Sequence, residues 1–104
     1  MKIATWNVNS LKVRLPHVLD WLAAQRPDVL CLQETKLEDK AFPFADIEAA
    51  GYRAIHHGQK TYNGVAILAR SEAGDVVRNI PALDDPQARV IAATVDGVRI
   101  VCAY

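Results

Sequence analysis

The chain has 104 residues, 51% of them hydrophobic and 23% charged, with twelve basic residues balanced by twelve acidic ones. This is the composition of an ordinary globular domain with one small core, and it excludes the strongly basic footprint of a charge-driven nucleic-acid binder. Two cysteines, Cys31 and Cys102, are too few for a disulfide framework, and no run approaches the 18 apolar residues of a membrane span. Both cysteines sit in apolar runs, where free buried thiols are expected. The chain opens at Met1-Lys2 on a strand-like segment without a signal-peptide core, so a reducing cytoplasm is the expected compartment.

Ile3 to Val8 reads as a strand, stopped by Asn9 and Ser10. Leu11, Leu15, Val18, Leu19 and Leu22 then recur at three- and four-residue spacing, predicting a helix over 11–25. Pro16 falls inside that span, where it removes a hydrogen bond, so the regular helix is expected to begin near Leu15. Arg26-Pro27-Asp28 marks a break. Val29 to Leu32 is a buried-strand run that ends abruptly in the polar Gln33-Glu34-Thr35-Lys36. Open α/β proteins place their sites at such strand ends.

Asp39 to Ala50 predicts a short helix or irregular turn around Phe42, Phe44 and Ile47. Tyr52–His57, Gly64–Ala69 and Val76–Ile80 read as strands, with a polar loop over 58–63 and another loop over 81–86. Ala88–Val95 and Val98–Ala103 read as a hairpin closed by Asp96-Gly97, a strong turn signal. The order predicts an α/β fold with a mixed, largely antiparallel sheet. Read from the residues alone, one such sheet would keep an uncovered apolar face.

The motifs Thr5-Trp6-Asn7-Val8-Asn9 and Pro27-Asp28-Val29-Leu30-Cys31-Leu32-Gln33-Glu34-Thr35-Lys36 resemble the exodeoxyribonuclease III and AP endonuclease family. His57-Gly58-Gln59-Lys60, Gly64-Val65-Ala66-Ile67-Leu68, Arg89-Val90-Ile91 and Ala103-Tyr104 extend the match, in order, over essentially the whole chain. The resemblance implies a four-layered α/β sandwich of two facing mixed sheets. It implies that residues 1–104 are the N-terminal portion of a single domain, cut at the C-terminus. The implied activity is Mg²⁺- or Mn²⁺-dependent hydrolysis of DNA phosphodiesters at 3′ ends and 5′ to abasic sites. The implied partner is double-stranded DNA carrying those features, with no membrane and no obligate protein partner.

Glu34 is the first candidate, because a hard dication seeks carboxylate oxygens and a strand end holds one rigidly. The resemblance makes Glu34 and Asn7 the metal residues, and Asn7, Glu34 and Tyr104 the catalytic set. For Asn7 the bland alternative is a local side-chain bond to backbone. Asn9 is divided between the metal site and a cap. Lys36 offers charge-assisted bonds near carboxylate and phosphate, or is a solvated lysine. Gln59, Lys60, Tyr62 and Asn63 suit a DNA-contacting loop, and Arg89 a phosphate contact or a brace. The histidines His17, His56 and His57 form no zinc array, and Trp6 and Trp21 read as core.

By the same resemblance the groups that activate the attacking water lie beyond Tyr104. The 104 residues alone are therefore expected to be inactive and prone to self-association. Other phosphoesterases sharing the fold, and a non-catalytic nucleic-acid-binding role, are the alternative readings.

Overall fold

A computed structural model describes residues 1–104. In chain order it comprises β1 (Ile3–Asn7), α1 (Leu11–Gln25), β2 (Val29–Gln33), a 3₁₀ turn (Asp39–Ala41), α2 (Phe44–Ala49), β3 (Arg53–His57), β4 (Val65–Ala69), β5 (Gly74–Arg78), β6 (Val90–Val95) and β7 (Val98–Ala103). The strands form two sheets, one ordered β1-β2-β4-β3 and the other β5-β6-β7. Only β1 and β2 are parallel, joined through α1; all other pairs are antiparallel.

The strand period of two explains why β2 and β4 are apolar without interruption. Leu30, Leu32, Ala66 and Leu68 face Val18 and Leu22 of α1 and Ile47 of α2. Val29, Cys31, Val65, Ile67 and Ala69 point the other way, onto Ile91, Ala93, Val95, Ile100 and Cys102 of the second sheet. Both faces of the central strands are thus dry, as a sheet covered on two sides requires. The uncovered sheet face anticipated from the residues alone is absent from these strands. The chain divides its strands into two sheets and folds the second over the first.

Pro16 does not delay the helix: α1 is regular from Leu11. Leu11, Val18 and Leu22 are fully buried, and this burial outweighs the lost hydrogen bond at an exposed position. Arg26 ends α1 in the left-handed conformation, donating its backbone N–H to Leu22 O at 3.0 Å, and Pro27 follows where a helix cannot continue. Asp28 then ties three strands together. Its carboxylate accepts from the Lys2 backbone N–H at 2.7 Å and from the Arg70 guanidinium at 2.6 Å. These bonds hold the Asp28 carboxyl below its usual pKa. Asp96 and Gly97 take φ of 48° and 78°, the two left-handed residues of a tight hairpin turn. Trp6 and Trp21 pack edge to face, ring centres 6.1 Å apart, half-buried against the helix-side core.

Candidate active site

Because β1 and β2 are parallel, Asn7 and Glu34 emerge at the same end of their sheet. The antiparallel β4 starts at that end, with Val65 opposite Gln33, so the 58–64 loop arrives there too. In the second sheet, Val90 opposes Ala103, which puts Arg89 and Tyr104 side by side. One backbone bond joins the two sheets at this rim, from Gly64 N to Ala88 O at 2.9 Å.

The backbone continues its ladder beyond the strands. Ser10 N donates to Glu34 O at 2.8 Å and Leu11 N to Thr35 O at 3.0 Å. From the other side, Thr35 N donates to Gly64 O at 3.2 Å and Lys36 N to Asn63 O at 2.9 Å. To be gripped from both sides, the turn adopts rare dihedrals. Glu34 and Lys36 each have φ of 55°, and Asn9, Ser10 and Asn63 are also left-handed, at 45°, 93° and 56°. Backbone strain of this kind persists only where surrounding bonds hold it, and it gathers at functional sites.

The polar side chains interlock. Lys36 Nζ donates to Asn9 Oδ1 at 2.7 Å and lies 4.0 Å from Glu34 Oε1. Asn7 Oδ1 accepts the Asn9 backbone N–H at 3.1 Å. The Tyr104 hydroxyl lies against Glu34, whose carboxylate raises the phenol pKa. Arg89 stacks its guanidinium 5.3 Å from the centre of the Tyr104 ring and donates to Tyr104 O at 3.2 Å. Thus Asn7, Asn9, Glu34, Lys36, Arg89 and Tyr104 line one rim. Gln33 supports it from beneath, with Nε2 donating to Thr5 Oγ1 at 2.8 Å.

The loop residues divide. Lys60 and Tyr62 are exposed, Tyr62 at 67%, and free to meet a ligand. Gln59 instead spends its amide oxygen on Ala88 N at 2.7 Å and Asn63 Nδ2 at 3.1 Å, bracing the loop onto the second sheet. Asn63 is half-buried and serves the Lys36 turn through its carbonyl.

Three residues that the sequence reading leaves without a role sit directly behind the Glu34 turn. Thr35 is fully buried and its hydroxyl lies 2.8 Å from His56 Nε2. His56 is 1% exposed, and its Nδ1 lies 2.8 Å from Asp39 Oδ1. Strand alternation signals only which side of β3 His56 faces, not its partners. His56 shares the helix-facing side with Ala54, whereas its neighbour His57 faces away and meets Asn79 Oδ1 at 3.2 Å.

A metal at this rim would find oxygen donors in Glu34 and Asn7, with Asn9 already engaged by Lys36. No group of three or more His, Cys, Asp or Glu side chains forms a cluster that could enclose an ion. One carboxylate with neutral oxygens still suits Mg²⁺ or Mn²⁺, which commonly bind through one or two carboxylates plus water and phosphate. The donor chemistry therefore fits such an ion.

The Endonuclease/Exonuclease/phosphatase family profile matches residues 4–104. Exodeoxyribonuclease III of Haemophilus influenzae is 41% identical over 98 residues, covering 92% of this chain and 36% of that protein. A 3′ phosphatase from Neisseria, solved with a product DNA hairpin, is 58% identical with a TM-score of 0.98, covering 100% of this chain and 41% of that one. An AP endonuclease from Archaeoglobus fulgidus is 41% identical with a TM-score of 0.97, covering 100% and 40%. The chain thus spans about two-fifths of the length of the proteins it matches.

Proposed function

The chain belongs to the Endonuclease/Exonuclease/phosphatase family, and from that premise we propose that it forms part of the active site of a metal-dependent DNA repair nuclease. The reaction is hydrolysis of a DNA phosphodiester at 3′ ends and 5′ to abasic sites. The observation that carries this reading is the convergence of Asn7, Glu34, Lys36 and Tyr104 from three strand ends onto one rim. Kinship with proteins described as an exodeoxyribonuclease, a 3′ phosphatase and an AP endonuclease supports DNA as the substrate.

Glu34 and Asn7 would hold Mg²⁺ or Mn²⁺. When bound, the ion supplies Lewis-acid stabilisation to a phosphoryl oxygen. The side chains supply the rest of this half-site. Lys36 offsets the charge of Glu34 and pins Asn9. Tyr104, like any phenol, is protonated at neutral pH, and the adjacent Glu34 carboxylate only reinforces this, so its hydroxyl can turn to donate to a phosphate oxygen as charge develops. Arg89 fixes the plane of that ring. Lys60 and Tyr62, exposed on the adjoining loop, offer a phosphate contact and a stacking surface along the duplex. Asn63 and Gln59 hold that loop in place.

No histidine of the chain is placed to activate water at this rim. His56 is buried, His57 is paired with Asn79, and His17 lies on the exposed side of α1. The chain spans about two-fifths of the length of its relatives, and we expect the 104 residues alone to be inactive; metal-dependent cleavage of an abasic duplex by them would overturn that.

The test is cleavage, by the intact protein in Mg²⁺, of a duplex with one abasic site and of a duplex with a 3′-phosphate, beside a phosphoinositide. Glu34→Gln should lower kcat/KM on the DNA substrates by more than about 100-fold, since removal of even a metal's supporting groups costs 10–100-fold. Turnover of the phosphoinositide with the DNA left intact would replace this reading with a lipid phosphatase.

A further inference from the structure

We infer that His56 is a positioning residue, which with Asp39 and Thr35 locks the turn that aims the Glu34 carboxylate. The inference rests on the reading of Glu34 as a metal-holding residue.

Glu34 occupies a backbone conformation that it would not choose. It and Lys36 are both left-handed, and Thr35 between them is the one residue of the turn that is fully buried. Fixing Thr35 therefore fixes both flanking side chains. Its side chain has one polar partner, His56 Nε2, at 2.8 Å.

The direction of the bonds follows from the partners. Asp39 is a carboxylate and can only accept, so the Nδ1 that lies 2.8 Å from it carries the proton. Asp39 Oδ1 stands out of line with the ring N–H, so this contact is chiefly electrostatic. The same oxygen accepts the Gly58 backbone N–H at 3.0 Å, which holds the carboxylate in place. Burial keeps the ring neutral, with a pKa lowered to about 4 despite Asp39. A neutral ring protonated at Nδ1 has a bare Nε2, which accepts the Thr35 hydroxyl proton.

The order hydroxyl, imidazole, carboxylate is also that of an activated nucleophile. Here the hydroxyl belongs to a residue with no exposed surface, so no substrate can reach it. Its geometry serves support instead. Phe42 packs against the ring with centres 4.3 Å apart. Two glycines close the cage: a Cβ at Gly58 would fall 2.2 Å from His56 Cε1, and one at Gly64 would fall 2.1 Å from Thr35 Oγ1. The pair has no room to move aside.

The experiment measures binding of Mn²⁺ alone to the intact protein by electron paramagnetic resonance, beside a histidine ¹⁵N spectrum. Thr35→Val keeps the branched shape and deletes the hydroxyl; it should weaken Mn²⁺ about 10- to 100-fold, and Thr35→Ser should restore it to within about threefold. Unchanged Mn²⁺ affinity in folded Thr35→Val overturns the inference, because a merely structural hydroxyl would lower the melting temperature and spare the folded protein's affinity. If Thr35→Val does not fold, the wild-type spectrum decides. Nδ1 protonated with Nε2 bare upholds the relay, and the opposite tautomer overturns it. Glu34→Gln separates the two readings. Loss of Mn²⁺ there with none in Thr35→Val rejects the positioning role alone, whereas Mn²⁺ retained in Glu34→Gln rejects the metal role of Glu34 itself.

Discussion

The Tyr104 hydroxyl and the Glu34 carboxylate share one small space, and each constrains the other's chemistry. A hydrogen bond to Glu34 holds the phenol proton, burial and the nearby carboxylate charge add to the effect, and Arg89 opposes it, so the pKa is raised. A raised phenol pKa means that the proton stays on throughout the neutral range and is lost only above pH 10. Tyr52, buried with its hydroxyl donating to Pro27 O at 2.6 Å, also ionises late. An ultraviolet titration of the intact protein should therefore lose one of its late-ionising tyrosines, and keep the other, in Tyr104→Phe. In Glu34→Gln the Tyr104 transition should move back toward 10. A transition that Glu34→Gln leaves in place would show that another group sets it. Glu34, Asn7 and Lys36 were legible in the sequence because polar residues interrupt apolar strands there. Thr35 and His56 were not, since nothing in a linear pattern shows that a threonine and a histidine 21 positions apart are buried together.

At the scale of elements, the turns decide where those side chains point. Gly64 has φ of +95°, and a Cβ there would strike Thr35 Oγ1 at 2.1 Å. Gly97 has φ of +78° with nothing within 4 Å of a Cβ. Gly97→Ala should therefore cost only the dihedral penalty, about 1–2 kcal/mol. Gly64→Ala should cost that and the displacement of Thr35, for a total above about 3 kcal/mol. Only Gly64→Ala should also weaken Mn²⁺. Chemical denaturation of the two variants makes the comparison, and equal losses would mean that the Thr35 cage yields easily. The Asp96-Gly97 hairpin was readable because turn chemistry is local. The span of α1 was readable from its apolar spacing, and only the loose first turn expected from Pro16 is not found, since three fully buried residues on the other side of the helix outweigh one local penalty.

Over the whole molecule, two cores share the strands of one sheet, and a single buried histidine links stability to pH. His56 has a folded pKa of about 4, below the 6.5 of an unconstrained ring. The unfolded chain thus binds a proton that the folded one refuses. The stabilisation is complete above pH 6.5 and is lost as pH falls from 6.5 toward 4. Asp28, with its carboxyl pKa lowered by Lys2 and Arg70, adds a further loss below its unfolded value of 3.8. The melting temperature of the intact protein should fall across the first window, and His56→Gln should flatten that slope. A wild-type melting temperature constant from pH 6.5 to 4 would contradict a neutral buried ring.

The sequence by itself determined the strand and helix periods, the hairpin, the α/β class and the polar strand ends, because those signals lie within a few residues of one another. It also carried the family, because its motifs stand in order along the chain. Two facing sheets and the grouping of Asn7, Glu34 and Tyr104 were implied by the family resemblance and not by any local pattern; the tertiary structure alone decided which strands enter which sheet and how those residues come to one rim. It alone put the buried Thr35–His56 pair, with the exposed Asp39 at its outer end, behind them. Those arrangements depend on which faces find each other across 21 to 70 residues of chain, and burial, unlike periodicity, exists only once the layers have packed.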